Sequence, residues 1–150
     1  GLISEAGLPA VADPGAQLVA LCHIHGIKVI PLVGPSSLML ALMGSGLNGQ
    51  SFAFCGYLPA KTDERRRAIR EIERRSGQLD QTEIFIETPY RNYSMLADLL
   101  ATLQPQTRLC VAADITLPEE TILTKSVKEW KRSPFAIGKR PCVFLLLAGK

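Results

Sequence analysis

The stretch TEIFIETPYR, residues 82–91, contains a strand signal and a helix signal in direct succession. Residues 82–87 are rich in β-branched and aromatic side chains, a composition typical of a strand. Thr88 and Pro89 then provide a cap and a first-turn proline, which predict a helix that continues to about Leu103. The stretch therefore predicts a β–α unit, the repeating element of a layered α/β fold.

Further strand signals lie on both sides of this unit. The predicted strands cover residues 27–33, 51–58, 107–114, 120–124 and 141–149. Leu2 and Ile3 resemble the last residues of another strand. Because helix signals separate most of these segments, the pattern predicts an α/β chain with an at least partly parallel sheet.

Helix signals fill the intervals between the predicted strands. Asp13 and Pro14 are typical of a cap and a first helical residue, and Gly26 would end that helix, whose Leu18, Leu21 and Cys22 would face inward. Other helices are predicted over residues 38–45, from a Thr62 cap to about Ser76, and after Ser126, which forms a capping box with Glu129. The turn at 44–49 predicts a boundary between two lobes.

The composition fits a globular protein. Of the 150 residues, 47% are hydrophobic and 21% are charged, which is enough apolar material for a core. The net charge of +3 permits an anionic partner without requiring one. No apolar run approaches the roughly 20 residues that a membrane-spanning helix needs, so no membrane association is predicted.

The cysteines and histidines do not form a metal-binding pattern. Cys22, Cys55, Cys110 and Cys142 form no CxxC pair and lie among apolar residues, which indicates free, buried thiols in a reducing compartment. His23 and His25 are two positions apart on a predicted helix and would point in different directions. No metal site is therefore expected.

Four loops are predicted at the C-terminal ends of strands: residues 4–15, 34–37, 87–91 and 114–120. Ligands of open α/β sheets bind at that edge, although glycine and proline also occur in loops that only connect elements. No GxGxxG motif, phosphate-binding lysine loop or nucleophile elbow is present. Glu5, Asp13, Glu87 and Asp114 place negative charge around the edge, which favours a neutral or cationic small molecule.

Four motifs occur in an order that resembles a known superfamily. SEAGLPAVADPG, VIPLVGPSS, FCGYLPAK and IFIETPYR follow one another as they do in the tetrapyrrole methylase superfamily. The branch that methylates a ribose 2′-hydroxyl of 16S ribosomal RNA is the most similar. The resemblance implies S-adenosylmethionine (SAM) as the methyl donor, a homodimer and a cytoplasmic location.

The resemblance also implies a domain arrangement. Residues 1–47 would be the end of an N-terminal α/β lobe, and residues 48–150 a C-terminal α/β lobe with a mixed sheet. Family members have a further strand and a glycine-rich loop before the first of these motifs. The sequence therefore resembles the later part of a longer protein, and we expect it to bind SAM weakly or not at all and to be inactive by itself.

The superfamily's site residues carry over by position. Ser4, Glu5 and Ala6 would lie beside the methionine part of the donor, and Ser36 and Ser37 near its sulfur. From the second lobe, the adenosine portion would be contacted by Glu87, Asp114, Ile115 and Thr116. Glu87 is also the candidate for the base that takes the proton of the attacking hydroxyl, with a hydrogen bond to ribose or backbone as the alternative.

The predicted helix after residue 61 is rich in arginine. Ile69 and Ile72 would face the core, with Arg65, Arg66 and Arg70 outside. A solvated face with ion pairs along the helix is one interpretation. The other is contact with an RNA backbone, for which Lys61, Arg65, Arg66 and Arg91 are the candidate substrate-binding residues.

Aromatic side chains for base stacking are few. The candidates are Tyr57, Tyr90 and Tyr93, with core packing or structural hydrogen bonding as the alternative, whereas Trp130 is expected to pack a short helix onto the sheet. The segment ADITLPEE at 113–120 lacks the arginine and lysine that the ribosomal RNA branch usually has there. Methylation of a tetrapyrrole or another small molecule, and a non-catalytic dimerisation or binding module, therefore remain alternatives.

Overall fold

The computed structural model describes residues 1–133 and 135–149, and within them the chain has an α/β architecture. The helices are α1 (Ala16–Ile24), α2 (Ser37–Ser45), α3 (Thr62–Leu79), α4 (Asn92–Thr102) and α5 (Val127–Arg132), with a 3₁₀ turn at Pro89–Arg91. The strands are β1 (Phe52–Tyr57), β2 (Thr82–Glu87), β3 (Arg108–Ala113), β4 (Thr121–Ser126) and β5 (Cys142–Leu147).

The strands form one mixed sheet in the order β1-β2-β5-β3-β4. β1 and β2 run parallel, whereas β5 is antiparallel to both of its neighbours and β4 is antiparallel to β3. The predicted partly parallel sheet is therefore confirmed. Strand β2 covers the residues predicted for it. The 3₁₀ turn at Pro89–Arg91 then leads into α4.

One face of the sheet carries the main core, covered by α3, α4 and α5. The rings of Phe85 and Phe144 stack there with centroids 5.7 Å apart. Trp130 is 1% exposed and donates its indole N–H to the carbonyl of Leu109 over 2.8 Å. Ile69 and Ile72 are buried in the same cluster, so the predicted inward positions of these isoleucines and of Trp130 are confirmed.

The opposite face is covered by α2. Leu38, Ala41 and Leu42 bury their side chains against β3, β4 and β5. Gly44 permits this approach, because a Cβ at that position would lie 2.7 Å from the Ile122 side chain. Helix α2 of the predicted first lobe thus packs on the sheet of the predicted second lobe, while the division into lobes itself stays a prediction.

Two predicted strands are wrong. Residues 27–33 and Leu2–Ile3 have no strand conformation, because neither outer strand of the described sheet, β1 or β4, pairs with them. Leu18 and Leu21 of α1 are half exposed rather than inward. Helix α1 begins after Gly15 instead of after an Asp13 cap.

Two features of α3 differ from the prediction. Lys61, not Thr62, is its N-cap, since the Lys61 carbonyl accepts the first helical hydrogen bond from the Arg65 N–H over 2.8 Å. Arg65 does not face outward: it is 2% exposed and pairs with the buried carboxylate of Asp98 on α4. The predicted capping box of Ser126 and Glu129 at α5 is confirmed.

The cysteines are free, as predicted. Cys110 and Cys142 are buried, whereas Cys22 and Cys55 are only half-buried. Burial raises the pKa of the Cys55 thiol to about 12, and hydrogen bonding to the Glu83 carboxylate contributes. Among residues 1–133 and 135–149, no helix is long and apolar enough to cross a bilayer, and no three metal-ligating side chains are grouped together.

Candidate functional site

The register of the central strands brings two predicted site loops together. Cys142, the first residue of β5, pairs with Glu87 on one side and with Ala113 on the other. The loops that follow β2 and β3 therefore leave the sheet at the same edge. The Asp114 N–H also donates to the carbonyl of Pro141 over 3.0 Å, which fixes the second loop against the start of β5.

Two adjoining clefts open at this edge, with volumes of about 390 and 410 Å³. Four residues line both of them: Ser37, Ile86, Ile115 and Pro141. The first cleft is also lined by Tyr57, Glu87, Pro89 and Asp114, and the second by Ala6, Ser36 and Thr116. We call these two spaces together the edge cleft.

Seven of the nine predicted donor-binding residues line the edge cleft, from Ala6 in the opening loop to Thr116 after β3. Ser4 and Glu5 are not among the lining residues. Ser4 instead donates its hydroxyl to the Ala6 carbonyl over 2.8 Å and so shapes the loop that presents Ala6. Ser36 has a similar local role, because its oxygen caps α2 at the Met39 N–H.

Glu87 is a buried carboxylate in the edge cleft, and its two oxygens have different environments. Its Oε1 accepts hydrogen bonds from the Thr88 N–H over 2.7 Å and from Arg91 Nε over 2.9 Å. Its Oε2 is buried and has no hydrogen-bond partner among the described residues. A buried acceptor without a partner costs about 1–3 kcal/mol, so this oxygen is suited to a donor group supplied by a ligand.

The loop after β3 is held in a strained conformation. Asp114 and Thr116 have φ angles of 51° and 73°, a region that a β-branched side chain such as threonine adopts at a cost. Glu120 accepts the Thr116 N–H over 2.6 Å. Such strain persists only where surrounding contacts enforce it, and it is enriched at ligand sites.

Arg140 supplies the principal contacts to this loop. Its guanidinium pairs with the Asp114 carboxylate and donates to the Glu119 carbonyl over 2.7 Å. Sequence reasoning missed Arg140 and the neighbouring Pro141. The pairing joins the segment just before β5 to the loop after β3, at positions 26 residues apart, so the single sequence carries no local signal for it.

The four predicted substrate-binding cations have different environments. Lys61 is exposed and lies 3.5 Å from Glu64. Arg66 is partly exposed and shares the Asp98 carboxylate with Arg65. Arg91 pairs with Glu87, which lines the edge cleft, and this hydrogen bond raises the pKa of the Arg91 guanidinium. Arg65 is buried, so its guanidinium is not accessible to a phosphate group.

Another cavity of about 520 Å³, larger than either part of the edge cleft taken separately, lies at the opposite end of the sheet and is lined by residues that include Asn48, Asp80 and Arg108. The edge cleft is the better candidate site, because it combines a buried carboxylate oxygen with no partner in residues 1–133 and 135–149, a strained loop and the carboxyl ends of the parallel strands.

No family model matches the sequence, but individual proteins do. The chain is 41% identical over 121 residues to ribosomal RNA small subunit methyltransferase I of Vibrio cholerae, covering 81% of the chain and 41% of that protein. The protein of the same name from Pseudomonas aeruginosa is 34% identical over 148 residues, covering 97% of the chain and 51% of the relative. The chain thus spans about half the length of the curated relatives it matches.

Solved structures resemble the fold at low sequence identity. The methyltransferase CobJ aligns with a TM-score of 0.61 and 18% identity over 95% of the chain and 62% of its own length. Uroporphyrin-III C-methyltransferase from Thermus thermophilus, complexed with S-adenyl homocysteine, aligns with a TM-score of 0.52 and 20% identity over 94% of the chain and 62% of its own length. The chain therefore has the fold of the tetrapyrrole methylase superfamily, and its sequence relatives are the ribosomal RNA small subunit methyltransferase I proteins.

Proposed function

We propose that the chain forms part of a SAM-dependent methyltransferase that modifies a ribose 2′-hydroxyl of ribosomal RNA. The supporting sequence observation is the 34–41% identity to ribosomal RNA small subunit methyltransferase I over most of the chain. The supporting structural observation is the edge cleft, which is lined by Glu87, a residue whose Oε2 has no hydrogen-bond partner among the described residues.

The residues of the edge cleft fit a methyl donor of this kind. SAM carries ribose hydroxyls and an adenine amine, each of which can donate to Glu87 Oε2. Ile86, Ile115 and Pro141 provide apolar walls for the adenosine. Ala6, presented by the opening loop, and Ser37, at the start of α2, would line the side nearer the methionine part.

The donor supplies an activated methyl group, and the chain's own task is alignment. The new C–O bond forms as the C–S bond breaks, and the hydroxyl proton passes to a base or to solvent. Glu87 is buried and its Oε1 is already engaged by Thr88 and Arg91. We therefore assign Oε2 to donor binding, with a role as the base left as the alternative that the pH profile of methyl transfer would reveal.

Binding is tested by NMR titration of the chain with S-adenosylhomocysteine, since this method detects weak complexes. We expect shifts at Ser37, Glu87, Ile115 and Thr116, and an affinity at least about tenfold weaker in Glu87→Gln, the loss typical of a hydrogen bond to a charged group. Glu71→Gln, on the exposed face of α3, is the matched control. Shifts confined to the cavity at the opposite end of the sheet would contradict the proposal, and so would the absence of shifts both in the chain and in the chain together with any further part of its protein.

A tetrapyrrole or another small molecule is the second candidate substrate, favoured by the structural likeness to uroporphyrin-III C-methyltransferase. Incubation of the chain, together with any further part of its protein, with labelled SAM and either small ribosomal subunits or a porphyrinoid separates the two. Label in the RNA supports the proposal, and label only in the porphyrinoid replaces it.

We also propose a homodimer that works in the cytoplasm, where ribosomal RNA is modified. Support for an association surface comes from exposed apolar side chains before and within α2, including Ile30, Leu32, Val33 and Met43. Analytical ultracentrifugation at several concentrations tests the oligomeric state. A monomer at all concentrations would contradict the dimer.

A further inference from the structure

Three tyrosines lie at the mouth of the edge cleft or beside it. Tyr57 lines the cleft and is 59% exposed. Pro89 lines it too, and the next residue, Tyr90, is 81% exposed. Tyr93 is 80% exposed and lies three positions further along the helical segment, a spacing that places two side chains on the same side. We call these residues the tyrosine surface.

Such exposure is not explained by packing. Phe85, Phe144 and Trp130 fill the core and are at most 1% exposed. The core interpretation of Tyr90 and Tyr93 is therefore wrong. An exposed phenol ring beside a binding cleft offers a flat apolar face to a ligand.

Basic side chains lie beside the tyrosine surface and near it at the start of α3, where Asp63 and Glu64 add negative charge. Lys139 Nζ lies 5.1 Å from the centroid of the Tyr90 ring, and the ring stays largely exposed with the lysine in place. On α3, Arg65 and Arg66 share the single carboxylate of Asp98. These three side chains together therefore carry one positive charge. Both α3 and the segment with Tyr90 follow the parallel strands β1 and β2, so they begin at the same edge.

We propose that the tyrosine surface binds unpaired nucleotides of an RNA, with bases stacked on Tyr90 and Tyr93 and phosphates near Lys139 and Arg66. This inference rests on the proposed function, since it names how the RNA substrate would be held beside the edge cleft. Exposed aromatic rings next to lysine and arginine are the recognition chemistry of single-stranded nucleic acid. A duplex conceals its base faces and therefore cannot use the rings.

The test is fluorescence anisotropy of the chain with a labelled single-stranded RNA of about 12 nucleotides, a length within the range of single-strand sites. We expect Tyr90→Ala and Tyr93→Ala each to weaken binding at least about fivefold, the loss expected for one stacking contact. Tyr90→Phe, which keeps the ring, should bind as the unsubstituted chain does. Leu79→Ala, an exposed apolar residue at the far end of α3, is the control for general surface effects.

Lys139→Ala should weaken binding and reduce its dependence on salt, because one phosphate contact is lost. Equal affinity for a duplex of the same length, unchanged binding by Tyr90→Ala, or no binding of single-stranded RNA would overturn the inference. So would self-association of the chain that Tyr90→Ala abolishes, since the surface would then be a protein contact.

The NMR titration with S-adenosylhomocysteine tests the proposed function independently of RNA binding. If S-adenosylhomocysteine shifts the NMR signals of the edge-cleft residues and the tyrosine variants bind RNA normally, only the proposed RNA-binding role of the tyrosine surface is refuted. If the tyrosines are needed for RNA binding and the donor does not bind even when any further part of the protein is present, the methyltransferase proposal fails while the RNA surface stands.

Discussion

Residues 27–33 and residues 82–87 have similar strand-forming compositions, yet only the second segment is a strand. Ile84 and Phe85 are fully buried, because β2 pairs with β1 on one side and with β5 on the other. Leu32 is 83% exposed, and no described strand lies beside it. β-propensity thus becomes structure only where neighbouring strands satisfy the backbone and a helix layer covers the side chains.

The largest expected difference between the two segments is in the free energy of unfolding. Phe85→Ala removes a ring that stacks on Phe144, and such core truncations cost about 3–5 kcal/mol. At concentrations where the chain is monomeric, Leu32→Ala removes an exposed side chain and should change stability by no more than about 0.5 kcal/mol. Urea unfolding of both variants measures the contrast. A comparable loss in Leu32→Ala would show that residues 27–33 pack against other groups in solution.

A second contrast concerns two aspartates. Asp98 is buried between α3 and α4, where it compensates Arg65, whereas Asp13 is exposed in the opening loop. Asp98→Asn leaves the Arg65 guanidinium buried without a counter-charge and should cost about 3 kcal/mol at neutral pH. Asp13→Asn is the matched control and should be close to neutral. Equal stabilities of the two variants would contradict a structural role of the buried pair.

The Asp98 pair also predicts a pH dependence. Burial acts to raise the pKa of Asp98, but hydrogen bonds from Arg65 and Arg66 outweigh it, and the pKa is lowered. The stabilisation is therefore present above the unfolded pKa of about 3.9 and is lost as the pH falls through the lower folded value. The difference between the unsubstituted chain and Asp98→Asn should shrink in that acidic range, measured as unfolding free energy against pH.

Local features of the fold could be predicted because their causes are local. The composition of residues 82–87, the capping box at Ser126 and the isoleucine spacing on α3 each act over a few positions, and each is confirmed. The mixed sheet was foreseen through the superfamily resemblance. The same kind of local signal gave a wrong prediction at residues 27–33. Whether that segment forms a strand depends on a neighbouring strand to pair with, which strand propensity does not reveal.

Only part of the candidate site could be predicted from the sequence. The loops that line the edge cleft follow predicted strands, so their meeting at one edge could be anticipated. The burial of Arg65 and the clamp by Arg140 depend on partners 33 and 26 residues away. The Glu87 oxygen that finds no partner within the described part of the chain, and the exposure of Tyr90, are likewise products of the tertiary fold.

The smallest expected effect compares the starts of α5 and α1. Ser126 and Glu129 cap α5 reciprocally, whereas α1 begins after Gly15 without a side-chain cap. Ser126→Ala should lower the free energy of unfolding by about 1 kcal/mol, and Ser126→Gly by only a few tenths. Asp13→Ala should leave stability unchanged, because Asp13 does not cap α1. If denaturant unfolding found Asp13→Ala as costly as Ser126→Ala, α1 would begin in solution at the aspartate that its sequence predicts, and the contrast between the two helix starts would disappear.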